Sequence, residues 1–261
     1  MSRVKLTRED TKRGSLILVT PAHALTEEGR PKASAPVGTS GVFLERKAAA
    51  MLQRLLLRLG SGGRIVPVSG LRSHEEQIRI WEETLEKEGA LFTKTYVAKP
   101  GHSEHESGLA IDLAKAAETI DFICPEFPRD GICGTFRKLA PRYGFVERYP
   151  AGKEDVTGIG AEPWHFRYVG AWHGMAMERE GLILEDYIAF LKESAPPERP
   201  YLCPDPESGA CAEIFYVDLY RTQEYAFRSG GRGTVSCSGT NEGGIVICRR
   251  TSGETEVQKD V

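Results

Sequence analysis

No apolar run near the start of this sequence is long enough to cross a membrane or form the core of a secretion signal. The first such run, Leu16-Ile17-Leu18-Val19, is short, and the residues before it are densely charged. The expected location is therefore cytoplasmic. Net charge is also scarce: −3 over 261 residues excludes a general attraction to nucleic acid or an anionic membrane, so any basic site must be local. Six cysteines occur without a single Cys-x-x-Cys pair. Cys124 and Cys133 bracket a loop, and Cys203, Cys211, Cys237 and Cys248 lie in the tail, spacings unlike those of a structural zinc site. In an intracellular chain they are expected to be thiols. There is no internal repeat.

A hydrophobic content of 40% is enough for a buried core. The predicted organisation is a catalytic domain over residues 1–195 and a small β-rich appendage over 196–261, joined at the Pro-rich stretch 194–200. Residues 16–19 read as a strand, followed by a Pro, Gly and Ala-rich surface loop to Gly41 that could reach over the cleft. Leu44, Ala48, Met51, Leu52, Leu55, Leu56 and Leu59 recur at helical steps, and Gly60 with Gly62 and Gly63 ends that helix. A wide apolar stripe of this kind packs against a core. Residues 65–68 read as a strand. Ser73-His74-Glu75-Glu76 is a capping-box pattern that starts a helix with Ile78, Trp81 and Leu85 inward and a stop near Gly89.

Further along, 93–97 reads as an edge strand, 116–123 and 135–143 as helices, 145–149 and 164–169 as strands, and 171–180 and 184–192 as helices. Trp164 and Trp172 are expected to pack in the core. In the tail, 212–219, 234–238 and 244–248 read as strands joined by Gly-rich turns. The fold class is α+β: a central antiparallel sheet carrying the site, helices on its outer face, and the β appendage.

The chemistry concentrates in two stretches, Ser103 to Asp112 and Glu162-Pro163-Trp164-His165. A catalytic zinc ion takes three protein ligands, imidazole nitrogens and carboxylate oxygens among them, and keeps one position open. His105, Asp112 and His165 meet that need. In 108–114, Leu109, Ile111 and Leu113 point to one sheet face and Ala110, Asp112 and Ala114 to the other, where the alanines leave room for a metal. Glu162 stands three residues before a ligand, placed to take a proton as general base. An unbroken strand would send Glu162 and His165 to opposite faces, but Pro163 breaks regular pairing and lets them converge. Any one such residue is more often an ordinary surface or core side chain. Their co-occurrence carries the reading.

Arg72 immediately precedes the capped helix, where a planar guanidinium and free backbone N–H groups together suit a carboxylate, although a surface salt bridge is an equal reading of position alone. Ser103 offers a hydroxyl to substrate or a cap to its own turn. His102 is not needed as a ligand, since three protein ligands already complete an open site.

The pattern Ser-x-His-x-x-Gly-x-Ala-x-Asp followed by Glu-Pro-Trp-His resembles the zinc D-alanyl-D-alanine carboxypeptidases and D,D-dipeptidases of the vancomycin-resistance type, its soluble bifunctional members above all. Ser69-Gly70-Leu71-Arg72-Ser73 with Glu76 and Gln77 resembles the family's Ser-Gly-Tyr-Arg-Ser segment, with Leu71 where an aromatic is usual. The likeness spans residues 66–191. It implies that Arg72 holds a substrate carboxylate, that Gln77 lies near substrate, and that D-alanine is released from D-Ala-D-Ala or from peptidoglycan precursor peptides ending in it. Residues alone leave dipeptide and precursor undecided. An L,D-carboxypeptidase or wall endopeptidase of the same fold is the alternative enzyme, and a zinc-holding module without catalysis is a third reading against which Glu162 stands. The appendage could cover a sheet edge, narrow the cleft or serve as a homodimer surface.

Overall fold

Asp112 and His165 are direct partners across an antiparallel ladder, and the sheet around that pair organises the larger of two compact units. The computed structural model describes residues 2–229 and 235–251. Its strands are β1 (Ser2–Thr7), β2 (Ser34–Pro36), β3 (Phe43–Glu45), β4 (Ile65–Ser69), β5 (Ala110–Lys115), β6 (Phe145–Tyr149), β7 (Glu162–Tyr168), β8 (Tyr201–Pro204), β9 (Cys211–Asp218), β10 (Glu224–Ser229), β11 (Val235–Gly239) and β12 (Gly244–Thr251). Its helices are α1 (Arg46–Arg58), α2 (His74–Tyr96), α3 (Gly131–Leu139), α4 (Glu154–Thr157), α5 (Ala171–Glu180), α6 (Leu184–Ser194) and α7 (Leu219–Thr222). The α+β expectation holds. Among the described residues no helix is long and apolar enough to cross a membrane.

The larger unit, residues 15–187, is built on a sheet of order β4-β5-β7-β6 in which every pairing is antiparallel. Alternation sorts its side chains. Leu109, Ile111, Leu113, Phe145, Phe166 and Tyr168 join Ala48, Leu52 and Leu55 of α1 and Phe136 of α3 in one core. Phe127, Phe136 and Phe166 meet edge to face at 5.0–5.6 Å, and each fully buried side chain of this size contributes about 1.5–3 kcal/mol. The other face carries Asp112, His165, Arg148 and Arg167. A register shift between Glu147 and Tyr149 matters here: two steps along β6 oppose four along β7, so the surplus residues lie in β7 around Pro163, and Tyr149 ends up against the His165 ring.

Several local expectations fail for identifiable reasons. Residues 16–19 are wholly buried but form no strand, and the Ile17 carbonyl accepts from the Arg167 guanidinium at 2.9 Å instead of joining a ladder. Residues 93–96 belong to α2, because Gly89 (φ 82°) kinks that helix without ending it. Thr93 and Thr95 suit the helix by turning their hydroxyls back to the carbonyls of Gly89 and Leu91 at 2.9 and 2.8 Å. No helix forms over 116–123, where the Asp121 carboxylate accepts from the backbone N–H of Ile123 and Cys124 and closes a turn. The helix expected at 135–143 begins earlier as α3 and finishes in a 3-10 turn, Ala140–Tyr143, that contains Pro141. Leu44 lies in β3, one residue before the N-cap of α1.

The smaller unit joins residues 2–14 to the described residues from 188 onward. Its sheet has the order β11-β12-β9-β8, and β1 pairs separately with β10. Leu6, Phe215, Val217, Leu219, Ile245 and Ile247 form its apolar cluster. The three expected tail strands correspond to β9, β11 and β12, with Thr234 outside the described residues. This grouping draws its line inside α6 and takes the charged first residues into the tail's unit, where the sequence suggested a junction at 195/196.

His173 of α5 is buried with its Nδ1 2.9 Å from the Tyr187 hydroxyl, and burial pushes its pKa down to about 4. The unfolded chain, with an ordinary value near 6.5, binds the proton first as pH falls. Stability is therefore full above about pH 6.5 and declines toward pH 4, by up to about 3 kcal/mol. We expect the stability gap between the parent and His173→Gln to narrow from pH 7.5 to pH 4.5 in denaturant titrations. A gap independent of pH would show that another group carries the dependence.

Candidate active site

A 3-10 turn, Glu104–Ser107, delivers His105 to the open end of β5, and Gly108 closes it in the left-handed region at φ 67°. A side chain at 108 would be strained there and would come within 3.0 Å of the Glu45 backbone nitrogen. His105 donates from Nδ1 to the Gly70 carbonyl at 2.7 Å, which leaves Nε2 facing Asp112 Oδ2 at 3.1 Å. On the far side, Asp112 Oδ1 lies 3.0 Å from His165 Nδ1. One donor atom from each of His105, Asp112 and His165 lies within 4.8 Å of the others, and all three residues are buried. The group can hold a metal ion. Burial alone would raise the Asp112 carboxyl, but His105 and His165 hold it far below the usual carboxylate range. Burial and then the neighbouring Arg72 depress His105.

Glu162 reaches the same cluster, with Oε2 3.4 Å from His165 Nδ1, so the two side chains do converge across Pro163. Burial, opposed by His165, pushes its carboxyl up to about 8. Arg72 donates through Nε to Ser69 Oγ at 2.8 Å, through one terminal nitrogen to Gln77 Oε1 at 3.3 Å, and through the other to Asp112 Oδ2 at 3.0 Å. Ser73 caps α2 from its side chain. A cavity is lined by Arg72, Ser103, His105, Asp112, Glu162 and His165 together with Tyr96, Tyr149 and Trp164. Ser103 is buried on its wall, and its side chain makes no capping bond to the turn that follows. Gln77 does not line the cavity. It is fully buried behind Arg72, and its amide nitrogen donates to the Ala98 carbonyl at 2.8 Å.

A model of the VanY family, D-alanyl-D-alanine carboxypeptidase, matches residues 42–171. The bifunctional D-Ala-D-Ala dipeptidase and D-Ala-D-Ala carboxypeptidase VanXYC of Enterococcus gallinarum is 38% identical over 183 residues, 69% of this chain and 96% of that protein. This chain belongs to the VanY family. Among solved structures, the vancomycin-resistance D,D-dipeptidase VanXYg, in complex with a D-Ala-D-Ala phosphinate analog, superposes with a TM-score of 0.90 at 39% identity, covering 96% of this chain and 99% of that one. A mutant of the D,D-pentapeptidase VanY from a VanB-type resistance cassette, in complex with Zn(II), superposes at 0.55 and 28% identity over 67% of this chain and 98% of that one.

Several residues of this VanY-family site escaped the sequence reading. Tyr149 lies tilted against the His165 ring at 4.9 Å, beside the irregular pairing of β6 with β7 around Pro163; Pro163 signals the irregularity, but nothing in the sequence tells which residue of β6 it brings to His165. Trp164, expected as packing, belongs to the core and also lines the cavity. Phe122, in the loop misread as a helix, lies under the Arg72 guanidinium at 5.6 Å. His102 stands apart from the metal group and donates to the Thr20 carbonyl at 2.8 Å. The loop before Gly41 braces the metal loop without lining the cavity: Leu25 N–H bonds Gly101 O at 2.8 Å, and Arg30 pairs with Glu106 at 3.1 Å.

The donor set suits zinc, with two imidazole nitrogens and a carboxylate oxygen, each imidazole turned so that one nitrogen faces the cluster. We expect purified protein to carry a single divalent transition-metal ion per chain, and His165→Ala or Asp112→Asn to abolish that content in elemental analysis. Metal at the parental level in both variants would place the ion elsewhere.

Proposed function

We propose that this VanY-family chain is a zinc-dependent D,D-peptidase that cleaves the bond between two D-alanines at a free C-terminus and releases D-alanine. The observation that carries the reading is the cavity on whose wall the buried His105, Asp112 and His165 donor atoms meet Glu162 and Arg72. Both the free dipeptide and precursor peptides are its substrates in this reading, supported by similarity over 96% of a relative named for both activities. The same similarity disfavours an L,D-carboxypeptidase or an endopeptidase. Six cysteines, none of them bridged, fit a reducing, cytoplasmic setting.

A zinc ion held by the three ligands supplies Lewis acidity toward the scissile carbonyl and lowers the pKa of water. Glu162 then has the proton work. Its carboxylate takes a proton from the attacking water and returns it to the leaving amine, a role that its place beside His165 on the cavity wall allows. Arg72 is held rigid by Ser69, Gln77 and Asp112, so its remaining N–H groups meet the negative end of the substrate without further ordering. Its closeness to Asp112 favours a second role, stabilising the oxyanion that develops at the cleaved carbonyl. Ser103 offers its hydroxyl to the substrate from the same wall.

Glu162→Gln keeps shape and all three ligands, so zinc content and dipeptide affinity are expected to survive while turnover falls about 100- to 10,000-fold. Turnover within a few-fold of the parent, with zinc retained, would assign the base elsewhere.

Arg72→Lys keeps charge but loses the planar fork, and we expect a fall of about 10-fold or more, the worth of a charge-assisted hydrogen bond. Comparing free-acid and C-terminally amidated substrates separates its two roles. Loss of the preference for the free acid in the variant assigns Arg72 to the terminal carboxylate, and an unchanged preference at a lower rate assigns it to the oxyanion. Unaltered turnover of both substrates would remove Arg72 from the site.

A further inference from the structure

Two buried atoms beside the proposed metal cluster face each other without a hydrogen-bond partner: Nε2 of His165 and Oε2 of Glu104, 3.5 Å apart. His165 turns its other nitrogen inward, with Nδ1 3.0 Å from Asp112 Oδ1 and 3.4 Å from Glu162 Oε2. Glu104 does not point at the cluster. Its Oε1 accepts from Arg148 Nε at 2.7 Å and from an Arg167 terminal nitrogen at 2.6 Å, which leaves Oε2 directed at the imidazole. Both arginines have their remaining nitrogens engaged. Arg148 forms a two-pronged pair with Glu185 at 2.6 and 2.8 Å, and Arg167 donates to the carbonyls of Ser15 and Ile17 at 3.1 and 2.9 Å.

We infer that Glu104 is a positioning residue for His165, accepting a hydrogen bond from Nε2–H and so fixing the tautomer whose Nδ1 lone pair faces the metal. The inference rests on the metal reading above and assigns this chain a carboxylate–histidine–metal relay. The contrast with His105 gives it content. His105 is oriented by a neutral acceptor, the Gly70 carbonyl, through Nδ1 and presents Nε2; His165 is oriented by a carboxylate through Nε2 and presents Nδ1. A carboxylate partner raises the basicity of the ligating nitrogen more than a carbonyl does. Glu104 can hold this role because two guanidinium groups, those of Arg148 and Arg167, donate to its Oε1 and so favour the carboxylate, an acceptor on both oxygens.

The competing account makes Glu104 only a counter-ion for two buried arginines. Two measurements separate them. In zinc-loaded, full-length parent protein with nitrogen-15-labelled histidine, the His165 ring should be protonated on Nε2 and coordinated through Nδ1. The opposite assignment overturns the inference. In chelator competition, Glu104→Gln should bind zinc about 10- to 100-fold more weakly, whereas a pure counter-ion role would lower folding stability and leave the zinc affinity of the folded protein alone. A folded Glu104→Gln protein that binds zinc within two-fold of the parent therefore sinks the proposal. Should that variant fail to fold, the spectrum of the parent decides. His165→Ala is the control for the underlying reading: parental zinc affinity in that variant would dismiss the metal assignment itself, whereas lost affinity there with unchanged affinity in Glu104→Gln would dismiss only the relay.

Discussion

The Asp112 carboxylate has three cationic or potentially cationic partners within hydrogen-bond range, His105 Nε2 at 3.1 Å, His165 Nδ1 at 3.0 Å and Arg72 at 3.0 Å, and it is almost wholly buried. An ionised carboxylate in such a place is tolerable only if opposite charge and directed hydrogen bonds surround it. That requirement propagates. Arg72, brought in to face Asp112, is itself buried and needs Ser69 and Gln77 for its other nitrogens, and Gln77 in turn needs the Ala98 carbonyl. Removing one member of such a set costs about 3–5 kcal/mol, whereas the whole set adds little to stability over a packed apolar core. Its retention is a matter of geometry: each partner leaves the others few orientations to choose from.

One sheet can carry this load because its two faces are kept distinct. The face toward α1 and α3 is apolar and supplies the core, and the face bearing Asp112 and His165 also bears Arg148 and Arg167. Backbone takes the place of solvent over part of that face. The irregular segment 15–17 turns the carbonyls of Ser15 and Ile17 to Arg167, two acceptors that a regular ladder would have consumed. The small residue of the motif has a matching reason: Ala110 stands opposite Arg167 across the ladder, where a larger side chain would crowd the guanidinium.

This division explains what could be read in advance. Alternation around Asp112 gave the sheet faces, and the spacing of the two motifs gave the residues that meet in the cavity, because these depend on local periodicity and on side-chain chemistry. The failures depend on partners far away in sequence. An apolar run such as 16–19 reads as a strand until Arg167 claims its carbonyls, and β1 is silent because its pairing with β10 spans almost the whole chain. Gly89 read as a helix end, yet the helix resumes beyond it because Thr93 and Thr95 bond back to the preceding turn. Glu104 was the subtler miss. Nothing in its neighbours distinguishes a carboxylate aimed at a histidine from one left in solvent, since the two arginines that settle the matter sit on β6 and β7.

The 3-10 turn itself solves the remaining problem, that three consecutive residues, Glu104, His105 and Glu106, have separate tasks. With about three residues per turn, successive side chains leave such a turn roughly 120° apart. Glu104 accordingly meets Arg148 and Arg167, His105 meets Asp112, and Glu106 accepts from Arg30 at 3.1 Å, His74 at 2.9 Å and the Gly101 N–H at 2.7 Å. An extended strand would throw both glutamates to the side opposite His105. Two buried carboxylates would then share one set of partners, and either Arg148 with Arg167 or Arg30 would be left without its counter-charge. The turn separates the two acids by direction, so that one braces the loop against α2 while the other remains free to face His165.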